Sequence, residues 1–162
     1  MQPGPAQLFL EDFAEGQRFD GPSRTVRGED VLSFAALTGD RHPIHYDAEY
    51  AKTTRFGRPV VHGLHLMSLT ALGATPLTEQ LEASMIAFVE QGARFLKPVF
   101  VNDTLRAEFE IAEIEPKPGR DWGRLKRAVR LVNQHGETVL EGHHIYMLRS
   151  RSGPADAPES KA

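Results

Sequence analysis

Residues 56–76 read FGRPVVHGLHLMSLTALGATP, and the fold depends on how this stretch is buried. From Gly63 onward apolar side chains fall at Leu64, Met67, Ala71 and Leu72, and also at Leu66 and Leu69, which leaves little polar face through the middle. A helix that is apolar nearly all round, in a chain with 25% charged residues, has to be wrapped by other elements.

The wrapping elements follow downstream. Residues 105–111, LRAEFEI, alternate with period two: Leu105, Ala107, Phe109 and Ile111 face one way, and Arg106, Glu108 and Glu110 the other. Residues 125–132 and 138–148 read similarly and are joined through NQHGE, whose Gly136 suits a hairpin turn. Residues 84–95, SMIAFVEQGARF, form another strand with Gly92 as a candidate bulge, and Asn102-Asp103 signals a turn. Upstream, EDVLSFAALT (29–38) has helical spacing, with Glu29 and Asp30 in its first turn and Gly39 as a stop. A short helix is predicted over 48–53. Helices in the first half and four or five strands in the second predict an α+β fold, with an antiparallel sheet curled around a long central apolar helix.

A chain of 162 residues suits one domain, here residues 6–149. The ends, 1–5 and 150–162, are rich in Pro, Gly, Ser and small residues, so both are expected to be flexible. A formal charge of -3 supplies no basic field for nucleic acid or an anionic membrane. The chain has no cysteine, which excludes thiol catalysis, disulfides and cysteine-ligated zinc within it. The start, MQPGPAQLFLEDF, lacks a basic segment followed by a long apolar run, and no stretch has the length of a membrane span. A soluble, cytoplasmic protein is expected.

The chemistry concentrates in residues 38–47, TGDRHPIHYD. Three readings compete. His42, His45 and the nearby aspartates can ligate a divalent ion, but Pro43 breaks the helix that would align the two histidines, and no metal is expected. The stretch can also be a solvated turn, since Asp, Arg, His and Pro are common turn residues; Arg41 and Asp47 fit that reading. Third, Asp40 and His45, held on either side of Pro43, can converge as an acid/base pair that needs neither metal nor cysteine.

FAALTGDRHPIHYD followed by RFGRPVVHGLHLMSL resembles the hydratase 2 motif region of the MaoC-like dehydratases, the (R)-specific enoyl-CoA hydratases of the hot-dog fold. The resemblance runs from about residue 24 to 148 and is most specific in those two stretches. It implies that Asp40 and His45 hold a water against the double bond of a trans-2-enoyl thioester, giving a (3R)-hydroxyacyl thioester or the reverse dehydration. The developing enolate oxygen then needs donors in place, and the unpaired backbone N–H groups at Gly63, at the start of the apolar helix, are the candidate; a close contact of helix and sheet is the other reason for a glycine there, and both can hold. The family loop carries asparagine where this chain has His42, so orientation of the pair, or substrate choice, falls to a ring nitrogen here. A serine that some members carry further along the helix is Ala71 in this chain. The resemblance further implies a homodimer, an acyl-CoA or acyl-carrier thioester as substrate, and no cofactor. Arg55, Arg58, Arg94 and Lys97 are candidates for the phosphates of coenzyme A. His62 and Ser68 read as local hydrogen-bonders, and Tyr46, Met67 and Met85 as core.

Two other functions fit a hot-dog fold. A thioesterase places an acidic residue on the central helix, and residues 64–75 have none. A non-catalytic acyl-thioester binder has no need of Asp40 and His45.

Overall fold

The computed structural model describes residues 5–71 and 75–151. In chain order these form β1 (Arg18–Asp20), β2 (Arg24–Thr25), α1 (Gly28–Thr38), α2 (Ala48–Lys52), α3 (Gly63–Ser68), α4 (Leu77–Gln80), β3 (Met85–Phe95), β4 (Thr104–Pro116), β5 (Trp122–Asn133) and β6 (Thr138–Arg149). The strands make one antiparallel sheet in the order β1-β4-β5-β6-β3, and β2 also pairs with β4. Consecutive long strands β4, β5 and β6 are neighbours, as short turns require. β3 crosses over to the far edge beside β6.

The period-two pattern decides which face is inside. Leu105, Ala107, Phe109 and Ile111 of β4 are buried, and their register partners on β5 include Leu131 opposite Ala107 and Val129 opposite Phe109. Leu66 of α3 packs into the cluster that Leu105, Ala107, Phe109, Val129 and Leu131 form with Val61, Val99 and Leu140, and Met67 and Leu69 lean on it. A second cluster, with Leu10, Leu77, Leu81, Leu125 and Leu148, closes the other end. The sheet thus curls around α3 in the hot-dog arrangement that the sequence predicts.

The central helix is shorter than its apolar run. It ends at Ser68, after which Leu69, Thr70 and Ala71 donate to carbonyls only three residues back, a tighter winding. Two hydroxyls favour this: Ser68 Oγ donates to His65 O at 2.7 Å and Thr70 Oγ1 to Met67 O at 2.7 Å. Nor is it wrapped all round, because Leu64 remains 64% exposed. Leu72 lies outside the described residues.

Two further expectations are corrected. The irregularities in β3 fall between Met85 and Ala87 and between Phe88 and Glu90, not at Gly92. Gly92 instead allows a close approach: a Cβ there would stand 2.5 Å from the His143 ring. At the C-terminus Ser150 and Arg151, assigned to a flexible tail by composition, are held by the body of the fold. Ser150 N–H donates to Asp121 O at 2.7 Å, and Arg151 pairs with Asp12 and covers the Phe9 ring. The rest of that tail, and residues 1–4 of the N-terminal one, lie outside the described residues. Among the described residues no helix is long and apolar enough to cross a membrane.

Candidate functional site

α1 ends where Gly39 adopts φ 77°, a left-handed cap that glycine accepts without strain, and its N–H closes the helix on Ala35 O. The chain leaves in a new direction at Asp40. Pro43–His45 then forms a 3-10 turn, and His42 caps it: His42 Nδ1 accepts from Ile44 N–H at 3.3 Å. Asparagine side chains make this kind of cap through their oxygen, so the ring nitrogen of His42 preserves the acceptor at the position where the resemblance departs. Tyr50 of α2 meets the His42 ring edge-on, with centroids 5.6 Å apart. Asp47, read as solvated, instead caps a helix, for its Oδ1 accepts from Glu49 N–H and Tyr50 N–H and so starts α2. The Arg41 backbone carbonyl accepts from the Tyr46 hydroxyl, and that hydroxyl lies at the surface rather than in the core.

The turn delivers His45 to the N-terminus of α3. His45 Nδ1 lies 2.7 Å from Val60 O. A carbonyl only accepts, so Nδ1 carries the proton and Nε2 presents a lone pair. Burial pulls the His45 pKa below its ordinary 6.5; the Val60 hydrogen bond opposes this, and neighbouring His62 reinforces it. The imidazole is therefore neutral, a base, at neutral pH.

His62 matters more than a local hydrogen-bonder. It is 1% exposed, stacks on His45 with centroids 3.7 Å apart, and donates from Nε2 to Asp40 O at 3.1 Å. Phe34 of α1 backs it at 5.0 Å and stacks on His65 at 5.1 Å. A column Phe34–His62–His45 thus fixes the reactive ring, while His62 ties down the backbone that carries Asp40. Asp40, His45 and His62 each offer a ligand atom within 4.8 Å of the others. A carboxylate oxygen of Asp40 and a ring nitrogen of His45 thus lie no more than 4.8 Å apart. The same atoms have the donor chemistry of a divalent-ion site, but Val60 O engages Nδ1 of His45 and Asp40 O engages Nε2 of His62, and the other His62 nitrogen is buried.

His45 opens onto a cleft of about 290 Å³ that Gly63, Leu66, Phe95, Arg55 and Lys97 also line. The first helical hydrogen bond of α3 runs from Leu66 N–H to His62 O, so Gly63 N–H precedes the ladder on the cleft side. The absence of a side chain at Gly63 has a steric reason as well: a Cβ would stand 2.9 Å from Phe95 Cζ. Of the four basic candidates, Arg55 and Lys97 share the cleft with His45, although Lys97 is paired to Glu137 at 2.6 Å. Arg58 lies over the Phe100 ring, 3.7 Å from its centroid. Arg94 is not in the cleft; it pairs with Glu141 across the neighbouring strand in a hollow beside Ala128 and His143.

A family model described as a MaoC like domain matches residues 12–128. The (R)-specific enoyl-CoA hydratase of Aeromonas caviae is 39% identical over 127 residues, 78% of this chain and 89% of that protein. The 3-hydroxybutyryl-CoA dehydratase of Methylorubrum extorquens is 31% identical over 145 residues, 90% of this chain and 87% of that one. The solved structure of a monoamine oxidase regulatory protein from Archaeoglobus fulgius superimposes with a TM-score of 0.86 at 32% identity, covering 92% of this chain and 99% of that chain.

Proposed function

The chain belongs to the MaoC-like dehydratase family, and from that premise we propose that it is a hydro-lyase acting on trans-2-enoyl-CoA and (3R)-hydroxyacyl-CoA, with Asp40 and His45 as its catalytic pair. One observation supports the residue assignment: the Asp40 carboxylate lies within 4.8 Å of the His45 imidazole, and His45 lines a cleft that reaches Gly63 at the start of a helix. A water between them gives one hydrogen bond to His45 Nε2 and one to Asp40. As its oxygen bonds to C3, the pair takes its proton and returns one to C2, so both groups end each turnover as they began. The charge that develops on the thioester oxygen meets Gly63 N–H. Arg55 and Lys97 at the cleft face the phosphates of coenzyme A, and Lys97 exchanges Glu137 for that partner. Arg58, three residues after Arg55, and Arg94 do not line this cleft and are left out of the assignment.

Addition to a conjugated thioester needs no metal or cofactor when base and oxyanion donors are both in place, so dialysis against a chelator should leave the rate unchanged. The long edge strand β3, with Phe88, Val89 and Phe95 exposed, supports pairing with a second copy as a homodimer. A cytoplasmic location goes with a coenzyme A substrate. No acidic residue occurs on α3, so hydrolysis of the thioester is not favoured.

The test follows the conjugated enoyl-thioester absorbance with purified protein. Hydration is expected, with Asp40→Asn and His45→Ala each lowering kcat by at least about 10²-fold in folded protein. Release of free thiol without hydration, or full activity in both variants, would overturn the proposal.

A further inference from the structure

A second hollow, of about 320 Å³, is lined by residues further along the two segments that line the catalytic cleft: the chain advances about 12 Å at helical rise from Gly63 to Ala71, and β3 about 13 Å from Phe95 to Gln91. Met67, Ala71, Met85 and Phe88 supply its apolar walls; Met67 and Met85 also pack against the two core clusters, so each has one side on the core and one on the hollow. Its other side is polar: Thr70, Gln91, His144 and Tyr146.

Behind that polar side sits Arg127, 1% exposed, on the inner face of β5. Its Nη2 donates to Thr70 O at 3.0 Å, to Tyr146 Oη at 2.9 Å and to His144 Nδ1 at 3.0 Å, and its Nε donates to the same His144 nitrogen at 3.3 Å. Nη1 has no partner. Because His144 Nδ1 accepts, its proton is on Nε2, which donates to Thr70 Oγ1 at 3.1 Å. The Tyr146 hydroxyl also lies 3.2 Å from that Nδ1, so a single lone pair is shared by Arg127 Nε, Arg127 Nη2 and Tyr146 O–H, and the cluster holds more donors than acceptors. Among the described residues no carboxylate pairs with Arg127, whose guanidinium rests instead on the faces of Phe109 and Tyr146, 4.2 and 5.0 Å from their centroids. Gln91 lies opposite His144, and His144 opposite Arg127, on adjacent strands. A row of polar groups therefore runs from the buried cation to the hollow, and its unmet requirement is a negative acceptor.

We infer that this hollow receives the far end of the acyl chain and selects a chain that ends in a carboxylate, bound by Tyr146 O–H and the Gln91 amide with Arg127 supplying the counter-charge. The inference rests on the hydro-lyase reading above. The experiment compares kcat/KM for plain trans-2-enoyl-CoA thioesters with their ω-carboxyl counterparts, matched in length from butenoyl to dodecenoyl, in the wild type and in Tyr146→Phe, Gln91→Leu and Arg127→Met. The carboxyl series should be preferred at the length that reaches from the cleft to the hollow, by roughly tenfold or more, and each variant should cut that preference about tenfold. If plain chains are hydrated and the carboxyl series is preferred at no length, the inference falls while the hydro-lyase stands. If neither series is hydrated, both fall. A preference that all folded variants leave unmoved makes the cluster structural and also overturns the inference. Should Arg127→Met fail to fold, the other two variants decide.

Discussion

Acid should destabilise the fold through His144, and the size of the effect follows from what surrounds it. The ring is 3% exposed; burial first, and then the Arg127 charge against it, hold its pKa down from 6.5 to about 3. The native state keeps this imidazole neutral where the unfolded chain protonates it. The contribution to stability is therefore complete above the unfolded pKa of 6.5 and is lost progressively as pH falls towards the folded value of about 3. At about 1.4 kcal/mol per pKa unit, the loss is about 2 kcal/mol at about pH 5. His144→Gln retains an acceptor for Arg127 and a donor for Thr70 but does not titrate. Urea unfolding of both proteins at about pH 7 and about pH 5 isolates the effect. Any misfit of the glutamine is common to both conditions, and so are the contributions of His45 and His65, which burial also depresses. The drop in stability between the two conditions should be about 2 kcal/mol smaller in the variant. Equal drops would refute the claim that His144 is held neutral against a buried cation.

Other consequences are open to direct measurement. The pH profile of kcat/KM should fall on the acid side with a pKa below 6.5, because His45 acts as a base only when unprotonated and burial lowers its pKa; the His45→Gln variant should lose that limb. Gly63→Ala places a methyl 2.9 Å from Phe95 Cζ, the far end of a half-exposed ring that can swing aside. It should cost about 1 kcal/mol or less in stability, but displace the cleft wall and lower kcat/KM at least about tenfold; thermal melts read against steady-state kinetics separate the two. Asp47→Ala removes both cap hydrogen bonds of α2 and should cost about 1 kcal/mol in urea unfolding.

The sheet was legible because period-two alternation is a direct image of burial: β4 shows it over LRAEFEI, whose inward Leu105, Ala107 and Phe109 share a cluster with Leu66 while Ile111 reaches the second cluster. The length of α3 was not, since hydrophobicity reports burial but not which carbonyls the Ser68 and Thr70 hydroxyls compete for. That Asp40 and His45 lie near each other was legible through the resemblance, and the place of Gly63 at the start of α3 through the onset of the apolar run. His62 was undervalued because it reaches Asp40 across 22 positions, a contact that only the docking of α1 and the loop onto α3 creates. A signal for Asp47 was present in DAEY, an acceptor just ahead of a helix, and was outweighed by the polar look of the loop.

Arg127 is the instructive omission. The alternation that places Leu125, Val129 and Leu131 inside also places Arg127 inside, in line with them. Read with the strand rather than as an interruption of it, an arginine at an inward position demands either a partner or a ligand. It finds three hydrogen-bonding neighbours, none of them an acid. The central helix thus runs between two polar centres of different character. At its N-terminus a histidine opens onto the cleft beside a solvent-exposed carboxylate, which suits proton transfer. Beyond its C-terminus a buried cation acts through a neutral histidine and a tyrosine, an arrangement that cannot exchange protons near neutral pH and so suits recognition of fixed charge. A fold that needed only an apolar second hollow would be better served by leucine at position 127, and that energetic disadvantage is the physical reason to expect the substrate, rather than the core, to account for the arginine.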